Sequence, residues 1–217
     1  MKIVGGWYVN DTEEDWGYDT WKKDSNRWGD GLITKLCAYS KGFDFALDIG
    51  AAYGATSYEL AQKFNGVMAF EPNPYVHNAL RKNLETLPNV KIQEVGLGSS
   101  SGEDTLFVCS DTGVSNFYTW VRKNGRVKFA VPVDMLDHYH FDKLDLIKID
   151  AEGSEYDIIL GAIDTLNIHT PVIGVEVWDV EHVYPNGKRA LNLLTSIGYV
   201  LQEQHRNDYI FVHRSKL

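Results

Sequence analysis

Long apolar runs and cysteines are both scarce in this 217-residue sequence. No stretch approaches the roughly 20 apolar residues that a membrane-spanning helix needs, and the opening run Met1–Val4 meets glycine too early for a signal peptide. The two cysteines, Cys37 and Cys109, are too few for a disulfide framework and lack the spacing of metal ligands. We therefore expect a protein of the reducing cytoplasm with no membrane partner.

Positive charge is also in short supply, with 21 Lys and Arg against 30 Asp and Glu, for a net charge of −9. A broad nucleic-acid surface needs Lys and Arg to neutralise phosphates, so we expect no nucleic-acid partner. A hydrophobic content of 44% and a charged content of 24% are typical of a globular protein. The length fits one α/β domain with additions better than two full domains.

The complete dinucleotide-binding pattern G-x-G-x-x-G is missing as well. The nearest stretch is Ala46-Leu47-Asp48-Ile49-Gly50-Ala51-Ala52-Tyr53-Gly54, in which an apolar strand runs into a tight turn and then a helical pattern. Gly50 and Gly54 allow the backbone to approach a ligand closely, but Ala52 stands where the second glycine would be. The turn therefore predicts a nucleotide-type cofactor and disfavours NAD.

What the sequence has in excess at its start is tryptophan. Four of the six tryptophans lie in residues 1–40 among several acids: Trp7, Trp16, Trp21 and Trp28. We expect an aromatic-rich N-terminal extension over residues 1–40 and a cofactor-binding domain over residues 41–217. The extension either packs its rings on the domain or forms a lid, with Trp16 and Trp21 as candidate substrate contacts.

Apolar patterns of strand and helix type alternate along the chain and predict a doubly wound, mostly parallel sheet with an antiparallel terminal strand. Helices are expected over 31–39 and 57–64, with Gly66 ending the latter, and then along the stripes 76–87, 156–163 and 188–197. Strands are expected at 45–49, 67–70, 90–95, 144–149 and 171–177, and a final antiparallel pair at 199–204 and 208–213. The segments 105–109 and 126–133 indicate an irregular insertion or hairpin.

The carboxyl ends of parallel strands share one edge of a sheet, so several separated residues are expected to converge. They are Asp48, Glu71, Gly96, Asp150 and Glu176. Glu71 follows Gly50 by 21 residues, the distance at which an acid at the end of the second strand accepts hydrogen bonds from ribose hydroxyls.

Three motifs in this order resemble the FkbM family of class I, Rossmann-like, S-adenosylmethionine (SAM)-dependent methyltransferases. They are Asp48-Ile49-Gly50-Ala51 with Gly54 and Ser57, Phe70-Glu71-Pro72-Asn73-Pro74 with Leu80 and Asn83, and Ile147-Lys148-Ile149-Asp150-x-Glu152-Gly153-x-Glu155. The family usually has Asn where this chain has Ala52, and residues 1–40 do not follow the family pattern.

The resemblance implies SAM as cofactor and a hydroxyl of a sugar, glycan or other small molecule as methyl acceptor. It places the cofactor against residues at the sheet edge: Asp48, Gly50, Ala52, Tyr53, Gly54, Glu71, Pro72, Gly96, Leu97 and Asp150.

Of Asp150 and Glu152, one is expected to be the general base and the other an orienting acceptor, with their assignment left open. The alternative for Asp150 or Glu155 is capping of the following helix. Candidate acceptor contacts are Glu176, Trp178 and His182, and His182 is otherwise a surface histidine.

Two further alternatives stay open at the level of sequence. His138 and His140 with Asp134 and Asp137 could hold a divalent metal, but a polar loop before the strand is the preferred explanation, and no metal is expected. The chain could also be an NAD(P)-binding oxidoreductase, or a SAM-binding module without catalysis. The oligomeric state is not indicated.

Overall fold

The structure is a computed structural model that describes residues 1–4, 6–10, 31–108, 115–116, 127–178 and 186–217. In these residues the strands are β1 (Lys2–Val4), β2 (Trp7–Val9), β3 (Phe45–Ile49), β4 (Gly66–Phe70), β5 (Val90–Gln93), β6 (Gly96–Leu97), β7 (Gly102–Val108), β8 (Ser115–Asn116), β9 (Val127–Asp134), β10 (Leu146–Ile149), β11 (Val172–Glu176), β12 (Tyr199–His205) and β13 (Asp208–His213). The helices are α1 (Leu32–Tyr39), α2 (Ala55–Ala61), α3 (His77–Leu84), α4 (Glu155–Leu160), α5 (Ile163–His169) and α6 (Gly187–Ser196), with 3-10 turns at Leu136–His138 and Arg214–Lys216.

The main sheet has seven strands in the order β5-β4-β3-β10-β11-β13-β12. Neighbours from β5 to β11 are parallel, whereas β13 runs antiparallel to both β11 and β12. The sequence order reverses between β3 and β10, so the chain leaves β3 towards one side of the sheet and later returns to the other. This architecture confirms the predicted mostly parallel, Rossmann-like sheet with an antiparallel terminal strand.

Successive side chains of each central strand point to opposite faces, which separates the core into layers. Leu47 and Ile147 pack on the face that carries α4, α5 and α6, through residues such as Ile158 and Leu194. Ala46 and Leu146 face α1 and α2, through residues such as Leu36. Near-continuous apolar strands are typical of a parallel sheet that is covered on both faces.

A smaller sheet follows β5, in the order β6-β9-β7-β8. Strands β7 and β9 pair antiparallel over their whole length, from Gly102 opposite Val133 to Val108 opposite Val127. The predicted hairpin is therefore present, but as part of a sheet that also takes up β6. The predicted strand 90–95 is correspondingly wrong at its end, because Gly96 and Leu97 leave the main sheet to pair with β9.

Other predicted boundaries also differ from the structure. The single helical stripe predicted over 156–163 is divided between α4 and α5. The second helix runs from Ala55 to Ala61 rather than to Phe64, and Gly66 begins β4 instead of ending the helix. The connection between them is short because Asn65 and Gly66 donate backbone hydrogen bonds to Phe43 and Asp44 and so already align with β3.

The described part of the predicted extension contains a hairpin, β1 with β2, and helix α1. Strand β2 lies against α3, whereas α1 lies against β11, where a Cβ on Gly174 would come within 2.7 Å of Leu36 Cδ1. Helix α1 is thus part of the layer that covers the sheet, and the division at residue 40 stays a prediction. No helix in the described ranges is both long and apolar enough to cross a membrane.

Candidate active site

A cavity opens at the carboxyl edge of the parallel strands and encloses about 660 Å³, including its solvent-exposed mouth. Eight residues predicted from the sequence line it: Gly50, Ala52, Glu71, Pro72, Gly96, Leu97, Asp150 and Glu152. The other lining residues are Ile49, Phe70, Val95, Leu106, Ala151, Ser154 and Ile158. Asp48, Tyr53 and Gly54 adjoin this wall without lining the cavity.

The turn after β3 forms one wall, and its backbone is tightly constrained. A Cβ on Gly50 would lie 1.8 Å from the carbonyl oxygen of Asp150, so only glycine allows the ends of β3 and β10 to approach this closely. Ala52 has a φ of +47°, in the left-handed region that non-glycine residues rarely adopt. The turn therefore holds Ala52 in a strained backbone conformation at the wall of the cavity.

Glu71 follows β4 and is 5% exposed. Its Oε2 accepts the backbone N–H of Ala52 at 2.7 Å, and its Oε1 accepts the N–H of Asn73 at 2.9 Å. Burial raises the pKa of Glu71 to about 7, although the two backbone hydrogen bonds oppose that shift. Each carboxylate oxygen has a second lone pair, so Glu71 can hold the turn and still accept a hydroxyl from a ligand.

The loop after β10 forms the opposite wall and is held in the same way. Glu155 is 4% exposed, and its Oε1 accepts the N–H groups of Ala151 at 3.1 Å and Gly153 at 3.0 Å. Burial raises the pKa of Glu155 to about 7 against the opposing effect of these bonds. Glu155 lies in the first turn of α4, where the capping alternative expects an acid, and its carboxylate also reaches back to the loop. Glu152, at the tip of this loop, has a φ of +50°.

A buried lysine lies between two of the predicted acids. Lys148 and Asp48 are register partners on adjacent strands, with Nζ 3.5 Å from Asp48 Oδ1, and Nζ also lies 3.2 Å from Asp150 Oδ2. Lys148 Nζ donates to the carbonyl oxygen of Gly50 at 3.4 Å, and Ser57 donates to Asp48 Oδ2 at 2.5 Å. Burial lowers the pKa of Lys148, but the charges of Asp150 and Asp48 outweigh it and raise that pKa above its usual value.

Asp48 itself is fully buried, and burial raises its pKa while Lys148 and Ser57 oppose the shift. For a SAM site we expect this acid to lie near the ammonium group of the ligand, directly or through water, and the structure places Lys148 and Ser57 around it. Its contact with a cofactor stays a prediction.

A second group of acids lies where β11 ends and β13 begins. Glu176 and Asp208 are register partners, and burial together with the charge of Asp150 and a hydrogen bond to it raises the pKa of Glu176 to about 10. Burial and Asp150 also raise the pKa of Asp208 to about 6. Glu176 is thus a protonated donor to Asp150 near neutral pH. Trp178, two residues on, is 42% exposed.

Three of the predicted acceptor contacts lie outside the described residues: Trp16, Trp21 and His182. The histidine-containing segment before β10 is described. His138 Nδ1 lies 2.7 Å from Asp134 Oδ1, while Asp137 accepts the N–H groups of Asp164 and Thr165. These contacts stabilise a loop, and the described ranges contain no group of three or more His, Cys, Asp or Glu that could hold a metal.

Sequence reasoning missed two side chains of this site. Lys148 lies in a motif that was recognised, but inside an apolar strand nothing marks it as an ion-pair partner of Asp48. Ser154 also lies in that motif and reads as a helix cap. The signal that could have found Lys148 is its position two residues before Asp150, which places a charged group on a buried strand where it needs a partner.

Comparison with known proteins agrees with this geometry. The family described as Methyltransferase FkbM domain matches residues 48–211, which span the turn after β3, both walls of the cavity and most of β13. This chain belongs to the FkbM methyltransferase family. The match confirms the resemblance noted from the three motifs.

Two characterised proteins resemble this FkbM chain in sequence. Methyltransferase sdnD of Sordaria araneosa is 28% identical, over 65% of this chain and 69% of the relative. Hexuronic acid methyltransferase AglP of Haloferax volcanii is 26% identical, over 78% of this chain and 73% of the relative.

Solved structures share the fold. The crystal structure of Methyltransferase FkbM from Methylobacillus flagellatus KT superposes with a TM-score of 0.55 at 19% identity, covering 78% of this chain and 43% of that one. This chain thus spans less than half the length of that protein. The N-methyltransferase NodS from Bradyrhizobium japonicum WM9 superposes with a TM-score of 0.51 at 14% identity, covering 88% of this chain and 98% of NodS.

Proposed function

We propose that this FkbM protein is a SAM-dependent O-methyltransferase that acts on a hydroxyl of a sugar, glycan or other small hydroxylated molecule. The observation that carries the proposal is the cavity itself, where the Gly50 turn, the buried Glu71 and the acids Asp150 and Glu152 meet at one sheet edge. The name of the relative AglP, a hexuronic acid methyltransferase, supports a glycan as acceptor.

The residues present fit the cofactor. The cavity has an acid at Glu71 with lone pairs available for ribose hydroxyls, and apolar surface from Leu97 and Ile158 for a ring. When bound, SAM supplies a methyl group on a positively charged sulfur. The protein has to hold an acceptor hydroxyl beside that methyl and to remove its proton.

Glu152 is the better of the two candidates for the base. Asp150 is engaged by the ammonium of Lys148 at 3.2 Å and by protonated Glu176, so its carboxylate is committed to groups that already supply positive charge or a proton. Glu152 lines the cavity at the tip of the loop that follows β10, with a φ of +50°. We assign Asp150 to orienting the acceptor and Glu152 to accepting its proton.

Calorimetry with SAM and S-adenosylhomocysteine (SAH), with NAD as comparator, tests the cofactor. We expect both sulfur compounds to bind and NAD to bind far more weakly. Tight NAD binding with no binding of SAM or SAH contradicts the proposal and favours an oxidoreductase.

Transfer of a labelled methyl group tests the acceptor and the base. In a panel of sugars, uronic acids and small alcohols, we expect label on a hydroxyl oxygen of at least one compound and none on the same compound with that hydroxyl replaced by hydrogen. Glu152→Gln should keep the Kd for SAH within about twofold and lower the transfer rate by about 10²–10⁴. The exposed change Glu103→Gln serves as the control. Full activity of Glu152→Gln refutes the base assignment, and SAH binding without transfer to any acceptor favours a binding module.

A further inference from the structure

The buried hydroxyl of Ser154 has no hydrogen-bond partner in the described structure. Ser154 immediately precedes α4, lines the cavity and is 5% exposed. Its Oγ is shielded from solvent and makes no hydrogen bond to any described residue. The other such atom in the described ranges, Asp48 Oδ1, has the ammonium of Lys148 at 3.5 Å. A buried hydroxyl without a partner disfavours the folded state, so a serine at this position needs another explanation.

Helix capping does not supply that explanation. A serine in front of a helix usually accepts a backbone N–H from the first turn, but Ser154 makes no such bond. The backbone groups of the preceding loop are held instead by Glu155, through Ala151 and Gly153. An alanine at residue 154 would therefore leave the start of α4 as it is.

Several of the side chains that line the cavity together with Ser154 are apolar. Ile158 lies one helical turn further on, donates its N–H to the carbonyl oxygen of Ser154 at 3.0 Å, and lines the same cavity. Ile158 and Leu97 belong to one buried cluster, and Leu106 also lines this cavity. An apolar slot with one hydroxyl suits a flat heteroaromatic ring, whose faces are apolar and whose edge carries donors and acceptors.

We propose that the hydroxyl of Ser154 hydrogen-bonds the amino-bearing edge of the cofactor's adenine ring and helps the site to select that base. Ser154 lines the cavity, and rotation about its Cα–Cβ bond gives Oγ two other staggered positions. A hydroxyl both donates and accepts, so it matches the amino group and the adjacent ring nitrogen. This inference rests on the proposed SAM cofactor and adds the residue that reads its base.

Ser154→Ala gives two readouts with opposite signs. Without ligand, the variant should unfold at the same temperature as the wild type or higher, because it removes an unsatisfied buried group. Its Kd for SAH should rise about 3- to 10-fold, the range expected for one lost hydrogen bond. The exposed change Ser100→Ala should alter neither quantity. A lower unfolding temperature of ligand-free Ser154→Ala assigns the hydroxyl a structural role and overturns the proposal.

S-inosylhomocysteine, in which the adenine amino group is replaced by a carbonyl, identifies the contact. The wild type should prefer SAH over this analogue, and Ser154→Ala should reduce that preference by the factor it loses in SAH affinity. Equal weakening towards both compounds places the hydroxyl against another part of the ligand and overturns the proposal. Unchanged SAH affinity overturns it while leaving the proposed function intact. Failure of the wild type to bind SAM and SAH overturns both.

Discussion

Ala52 has the least favourable backbone conformation in the cavity wall, with a φ of +47° in a residue that carries a Cβ. Glycine enters this region freely, so Ala52→Gly should raise the free energy of unfolding by about 0.5–1 kcal/mol. Chemical denaturation measures the change. The same substitution at Ala55, the first residue of α2, should lower it by a similar amount, because glycine is unfavourable in a helix. Equal destabilisation by both changes would contradict the left-handed conformation of Ala52.

Lys148 is the residue on which the buried acids depend. Lys148→Met leaves Asp48 buried without its ammonium partner and should lower the free energy of unfolding by about 3–5 kcal/mol. Combining it with Asp48→Asn, which keeps an acceptor for Ser57, should recover part of that loss. The exposed ion pair of Lys35 with Glu203 provides the control, and Lys35→Met should change the stability far less than Lys148→Met does. A loss of less than 1 kcal/mol for Lys148→Met would contradict the ion pairing.

At this scale the sequence predicted where the site residues lie better than what they contact. Glu71 and Asp150 were placed at the sheet edge because strand ends converge, and both line the cavity. That Glu71 also binds the backbone of Ala52 was not predictable, because hydrogen bonds between distant turns depend on the tertiary structure. Lys148 was overlooked for the same reason, since its partner lies on a neighbouring strand, a hundred residues earlier.

At the scale of elements, the two turns that frame the cavity share one device, a buried glutamate that accepts their backbone N–H groups. Burial raises the pKa of Glu71 and of Glu155 to about 7 in the folded state. Each carboxylate therefore binds a proton more tightly in the folded protein than in the unfolded chain. Their contribution to stability is complete below about pH 4.5 and is lost as the pH rises through about 7. The protein should therefore lose stability between these two values.

Glu155→Gln isolates this effect, because both N–H groups bind Oε1, which the amide retains. The variant should show a shallower fall in the free energy of unfolding between pH 5 and 8, and at pH 8 it should equal or exceed the wild type in stability, by up to about 3 kcal/mol. Urea denaturation at several pH values measures the slope. Glu85→Gln on the surface controls for the loss of one charge. A slope identical to that of the wild type would contradict the raised pKa.

The elements themselves were predictable where the apolar period was clear, as in β3, β4, β10 and the pair β12 and β13. The second sheet was not, because β6 has only two residues and pairs with β9, more than thirty positions later. Short strands carry too little periodicity to indicate a partner.

At the scale of the whole molecule, Asn83 joins the N-terminal hairpin to the cavity wall. Its Nδ2 donates to the carbonyl oxygens of Tyr8 at 3.0 Å and Tyr53 at 2.9 Å, and its Oδ1 accepts the N–H of Tyr8 at 2.8 Å. Asn83→Ala should therefore free the hairpin and increase hydrogen exchange in β2 and at the turn after β3. We expect a loss of about 1–3 kcal/mol in the free energy of unfolding.

Asn78 provides the matched control for this prediction. It lies on the exposed side of the same helix, and its Oδ1 accepts a hydrogen bond from Arg81 at 3.2 Å. Asn78→Ala should leave exchange in β2 unchanged. Equal exchange in the wild type and Asn83→Ala would show that the hairpin is held by its apolar contacts, such as Trp7 against Tyr58, rather than by Asn83.

The position of β13 has a consequence for the order in which the protein can be made. Strand β13 lies between β11 and β12, although it follows both in sequence. During synthesis β11 is therefore an open sheet edge with unpaired backbone groups until residues 208–213 have emerged. The main sheet is complete only after that strand has been translated. If a ribosome stalls earlier, the nascent chain has an unpaired strand edge that can pair with other chains.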